Sequence, residues 1–163
     1  MGHKTDPNPT KPTPHDGSYR RLFSHARMVE DLMRRYVDPS WIDRLDFSTL
    51  ELVPAHYVSE ELEQRESDVV WRLRYAPDGE WFYVYLLIEF QSRVARFMAV
   101  RVLAYIMLLY QDLILRQQLT GSRKLPPVLP IVLYNGTRRW TAPLQVSELI
   151  ESLPGCEALL PSF

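Results

Sequence analysis

Asp68, Glu89 and Gln91 are the side chains whose types and spacing suggest chemistry. They lie in two runs rich in β-branched and aromatic residues, Asp68–Tyr75 and Trp81–Phe90, separated by Pro77-Asp78-Gly79. Asp-Gly between such runs predicts a hairpin with a type I′ turn, whose two central residues need φ > 0. A turn centred on Asp78-Gly79 sets Asp68 opposite Glu89, and Gln91, two residues further on, points the same way. Directly opposed residues have Cβ atoms about 4.5–5.5 Å apart, and carboxylates that close repel unless a proton or cation sits between them. A hard divalent cation, Mg²⁺ or Mn²⁺, suits such oxygen ligands. It would activate water and offset charge developing on a phosphodiester. The plainer reading is a pair of solvated strand-end acids, and a one-residue bulge would break the opposition. Spacing alone leaves both readings open.

On the other face of this hairpin, Val69, Trp71, Leu73 and Tyr75 are expected opposite Ile88, Leu86, Val84 and Phe82. That face is wholly apolar, so it is expected to be the core face, covered by a long helix between Arg93 and Gln118. Before the hairpin, Val29, Leu32, Met33 and Tyr36 recur at helical spacing within 26–37, and Asp38-Pro39 ends the pattern. Leu50–Val53 is a short candidate strand. After the long helix, prolines at 126, 127 and 130 lead into a strand, Ile131–Tyr134, stopped by Asn135-Gly136. A small amphipathic helix is expected over Val146–Leu153. Strand, long helix and strand make a right-handed crossover, so the last strand should run parallel to Trp81–Phe90. The expected architecture is α/β, an αβββαβ order with a mixed sheet flanked by helices.

The chain has 163 residues, 46% hydrophobic and 24% charged, enough for one domain with a sizeable core. Its formal net charge of -1 excludes nucleic-acid binding through bulk positive charge, though not through a local basic groove. The single cysteine, Cys156, excludes an internal disulfide and a Cys-based zinc site. Residues 1–15, with prolines at 7, 9, 12 and 14, read as a flexible lead-in. The apolar stretch Val94–Tyr110 is interrupted by Arg96 and Arg101, and a membrane span needs about 20 residues. The expectation is therefore a cytoplasmic protein with no membrane partner. The apolar end, Glu157–Phe163, suggests a domain over 16–163 that stops short of its natural C-terminal end.

The order of elements and the D…ExQ pair resemble the PD-(D/E)XK nuclease superfamily, with a restriction-endonuclease-like core. More specifically, the chain resembles the Rpn family of recombination-promoting, transposase-like nucleases. The segments that carry this likeness are His15-Asp16, YRRLFSH at 19–25, LDFSTLE at 45–51, SDVVWR at 67–72, YLLIEFQS at 85–92 and LPIVLYNG at 129–136. Together they cover roughly residues 15–153. The resemblance implies a metal-dependent DNA endonuclease that promotes recombination and is associated with mobile elements, acting on DNA at the nucleoid. It implies Mg²⁺, or Mn²⁺ or Ca²⁺ in its place. Nucleases of this kind often pair to cut both strands, which makes a homodimer one expected state.

Carried over residue by residue, Asp68 and Glu89 would hold the metal, and Gln91 would stand where the superfamily name has lysine. An amide carries no charge, so Gln91 could orient water or phosphate only by hydrogen bonds. On the long helix Arg101, Tyr105, Asp112 and Arg116 share a stripe. Arg101 and Tyr105 resemble the QxxxY pattern of some superfamily branches, with Arg replacing Gln, and are candidates for substrate contact. The alternative is that the stripe is merely a solvated or partly buried helix side. Glu30 or Asp31 of the first amphipathic helix could add an acidic ligand, and either could equally be a surface carboxylate. A functional alternative stands beside hydrolysis: a nuclease-fold DNA-binding or assembly module, catalytically inactive in this form.

Overall fold

The computed structural model describes residues 14–53, 69–76, 79–89, 94–134, 136–151 and 154–155. Three helices come first: α1 (Pro14–Phe23), α2 (Ala26–Tyr36) and the single turn α3 (Pro39–Ile42). The strands β1 (Leu45–Leu52), β2 (Val69–Tyr75) and β3 (Trp81–Glu89) follow, then α4 (Met98–Leu115) and β4 (Val128–Tyr134). The sheet order is β1-β2-β3-β4. The first two pairings are antiparallel and β3 with β4 is parallel, so the expected α/β mixed sheet and its crossover are present. The helix α1 begins at Pro14, just inside the segment expected to be a lead-in, and residues 1–13 lie outside the described residues.

Local chemistry sets the boundaries. Asp38 caps α3 by accepting from the Ser40 amide (2.8 Å) and hydroxyl (2.6 Å), which holds its carboxyl below the usual range. The β1 ladder is interrupted between Asp46 and Glu51. Asp46 there accepts from the Ser48 amide (3.0 Å) and hydroxyl (2.6 Å), while Thr49 Oγ1 takes the Arg74 backbone N–H (2.8 Å). Side chains thus supply partners that the bulge removes from the ladder. The C-terminal helix expected over 146–153 is only a 3₁₀ turn, Val146–Leu149, closed by a capping box between Gln145 and Glu148. Proline at 154 and glycine at 155 leave it no room to lengthen into α-helix.

The hairpin register differs from the expected one by two residues. Val69 pairs with Leu86, Trp71 with Val84 and Leu73 with Phe82. Tyr75 N–H donates to Glu80 O at 2.8 Å, leaving four residues between them instead of two. A two-residue turn on Asp78-Gly79 would have made residue 77 the closing partner of Glu80, and a proline has no N–H to donate. The strand therefore closes at Tyr75, and Gly79 supplies the left-handed conformation, φ 65°, that the longer loop needs. Because the shift is even, no side chain changes face.

Both faces are covered, and the expected partner of one is corrected. Val69, Trp71, Leu73, Phe82, Val84 and Leu86 pack with Phe23, Val29, Met33, Ile42 and Leu45, so the N-terminal helices cover that side. The long helix α4 lies on the opposite side, where Met98, Tyr105, Leu109 and Leu113 meet Val70, Tyr83, Tyr85 and Leu87. Alternation marks which residues share a face but not which helix covers it. Among the described residues α4 is also the one helix long and apolar enough to cross a membrane. Here it is the crossover between two parallel strands. At the sheet edge, Pro130 stands within β4 with its side chain exposed.

Two predictions follow from specific contacts. Trp71 Nε1 donates to Phe23 O (2.9 Å, buried), tying the end of α1 to the sheet. Trp71→Phe should cost about 1–3 kcal/mol in urea unfolding, because it strands a buried carbonyl. The helix α4 ends in a Schellman pattern, with Gln117 N–H to Ile114 O (3.0 Å) and Gln118 N–H to Leu113 O (2.8 Å). Gln117 takes the left-handed position, φ 54°, usual for glycine. Gln117→Gly should raise stability by about 1 kcal/mol in the same assay.

Candidate functional site

Glu89 is the last residue of β3, and in the parallel ladder it pairs with Tyr134, the last residue of β4. Strand alternation from Tyr85 sets position 89 on the α4 side of the sheet. Ligand sites in α/β sheets collect at the carboxyl ends of strands, and both strands end here. Asp68 and Gln91 lie outside the described residues. Among the described residues no group of three or more His, Cys, Asp or Glu side chains gathers as a metal cluster.

The crossover orients α4 antiparallel to β3, so its N-terminal turns lie at the end of β3 that carries Glu89. Tyr105 is buried, 5% exposed, and its ring stacks on Tyr85 with centroids 6.1 Å apart and planes at 17°. Arg101 sits one helical turn, about 6 Å, nearer that end, and is half-buried. The lower part of the expected stripe is structural. Asp112, 7% exposed, accepts from Arg116 Nε through both oxygens at 2.9 Å.

Glu30 is on α2, in the layer on the opposite face of the sheet, where it accepts from Arg34 Nε at 2.8 Å. Asp31 beside it is exposed. The described contacts bring neither to the end of β3. The aromatic row Trp81, Tyr83 and Tyr85 offers little to nucleic-acid bases. Tyr83 and Tyr85 are 1% and 2% exposed, and the Trp81 ring is covered by the guanidinium groups of Arg72 (4.3 Å) and Arg74 (3.8 Å). Burial opposes the charge on Arg72, but the Tyr83 hydroxyl and the Glu51 carboxylate outweigh it and hold the guanidinium above its ordinary value.

Sequence reasoning did not single out the neighbourhood of Tyr134. Its ring meets Trp140 edge-on at 5.1 Å, and with Met98, Val102, Ile106 and Val132 the two rings line a cavity of about 590 Å³ between α4 and β4. The available signal was the parallel register, which carries the segment LPIVLYNG to the end of the strand holding Glu89.

Comparison with known proteins decides the family. Residues 13–163 match the family model described as "Putative transposase, YhgA-like". The chain belongs to the YhgA-like transposase family. Its relatives include the recombination-promoting nuclease RpnD of Escherichia coli O157:H7, 32% identical over 131 residues, which are 80% of this chain and 48% of that protein. The recombination-promoting nuclease RpnC of Escherichia coli K12 is 28% identical over 76% of this chain and 39% of its own length. The K12 protein named inactive recombination-promoting nuclease-like protein RpnE is 28% identical over 78% of this chain and 40% of its own length. The chain spans less than half the length of these three relatives. No solved structure matches it. The expected kinship with the Rpn family is therefore confirmed.

Within this family member, the Asp112–Arg116 pair should act on stability alone. Arg116→Ala removes the guanidinium that donates to both oxygens of the buried Asp112 carboxylate and should cost about 1–3 kcal/mol in urea unfolding.

Proposed function

We propose that this chain is the nuclease domain of a divalent-metal-dependent DNA endonuclease that promotes recombination, working on DNA in the cytoplasm. The observation that carries this reading is the position of Glu89. It closes β3 at the carboxyl end of a parallel pair, on the face where α4 presents Arg101, in a chain whose relatives are named nucleases.

The proposed ligands are Asp68 and Glu89. The described register, continued by one residue, would make them diagonal neighbours about 7–8 Å apart, a separation at which an Asp and a Glu can share one cation. Their hard oxygen donors fit Mg²⁺ or Mn²⁺. When bound, the cation supplies an activated water and offsets charge on the phosphate. Gln91 orients that water or a phosphate oxygen through its amide, and Arg101 supplies the positive charge that Gln91 lacks. Tyr105, buried against Tyr85, holds the turn of α4 that carries Arg101 rather than touching DNA. Glu30, paired with Arg34 on the far layer, is assigned no ligand role.

A second reading, a fold retained for DNA binding or assembly without cutting, is favoured by the names of two relatives, which call them inactive. Plasmid cleavage separates the two. Supercoiled DNA should be nicked with Mg²⁺ or Mn²⁺ and not with EDTA. Asp68→Ala or Glu89→Ala should slow nicking by about 100-fold or more, the equivalent of losing several kcal/mol of charge stabilisation. Equal nicking by either variant would defeat the ligand assignment, and DNA binding without cleavage in any divalent metal would favour the second reading.

A further inference from the structure

The Tyr134 hydroxyl is buried and has no hydrogen-bond partner among the described residues. A buried phenol left unpaired is costly, and such atoms in folded proteins call for an explanation. Three observations locate this one. Tyr134 is level with Glu89 in the parallel ladder, so the two positions are adjacent on one face. Trp140 fixes the ring from one side, edge-on at 5.1 Å. Gly136 makes room for the hydroxyl on the other, because a Cβ there would stand 2.0 Å from Oη.

We propose that Tyr134 is a positioning residue: its phenol donates a hydrogen bond to the Glu89 carboxylate when that carboxylate holds a divalent cation. This rests on the metal-site reading above. A carboxylate that binds a metal through one oxygen leaves the other as an acceptor, and outer-shell donors to it commonly set metal affinity. Tyr134 and Glu89 are partners on neighbouring strands, about 4.8 Å apart between backbones, and Tyr134 lines the apolar cavity together with Val102, Ile106 and Val132. The proposed hydrogen bond gives a partner to a donor that has none among the described residues, and the gain appears as metal affinity.

Tyr134→Phe removes the hydroxyl and keeps the ring. Mn²⁺ affinity by calorimetry should fall about 10–100-fold, the range typical of lost outer-shell partners. Thermal unfolding of the metal-free protein should be unchanged or shifted upward, since an unsatisfied polar atom has gone. Unchanged Mn²⁺ affinity overturns the proposal, as it would if an ordered water were the phenol's real partner. A fall in metal-free stability alongside the affinity overturns it too, because the hydroxyl would then be structural. Wild-type protein that holds no Mn²⁺, or an Asp68→Ala variant that holds it equally well, defeats the metal-site reading itself. That failure shows before Tyr134 is altered.

Discussion

From Phe82 to Leu87, β3 has no residue that faces water; all six are 2% exposed or less. A strand in that position must be sealed on both faces and hydrogen-bonded along both edges. This demand organises the molecule. Alternate side chains sink into two separate cores, one built with α1 to α3 and the other with α4. Antiparallel β2 fills one edge and parallel β4 the other. Parallel pairing requires a long crossover connection, and that is what lays α4 across the second core. β3 is therefore the most deeply covered strand among the described residues, and Glu89 is its last residue.

The same constraint decides which side chains stay outside the core. Aromatic rings on β3 are consumed as core, and the polar residues on α4 divide by depth. Asp112 near the helix end is locked by Arg116, whereas Arg101 near its start lies toward the end of β3. The charge balance agrees with this economy. A chain with a formal charge of -1 has no bulk attraction for a polyanion, so the DNA affinity proposed above would have to come from a few well-placed cations.

The sequence was read most accurately where a single periodicity applies. Alternation over Val69–Tyr75 and Trp81–Glu89 marks the strands and their faces, and the crossover rule gives the parallel partner. The pattern misleads where two signals compete. Asp78-Gly79 suggested a tight turn, but Pro77 beside it lacks the donor that turn needs, so the ladder moved by two residues. The choice of covering layer was misread for a related reason. Val70, Tyr83, Tyr85 and Leu87 make the second face as apolar as the first, and pattern alone cannot say which helix meets which. The role of Tyr134 was hidden more deeply, because it depends on an inter-strand register and on the missing side chain at Gly136.

Pro130 has a consequence beyond the chain itself. Tyr83 N–H bonds to Pro127 O, so odd-numbered residues of β4 turn their backbone groups inward and even-numbered ones, Pro130 among them, turn theirs outward. The outer rim of β4 therefore lacks a donor at its centre, which spoils it as a template for a fifth strand and guards against edge-to-edge aggregation. Two copies of this chain could not extend one continuous ladder through the centre of this rim.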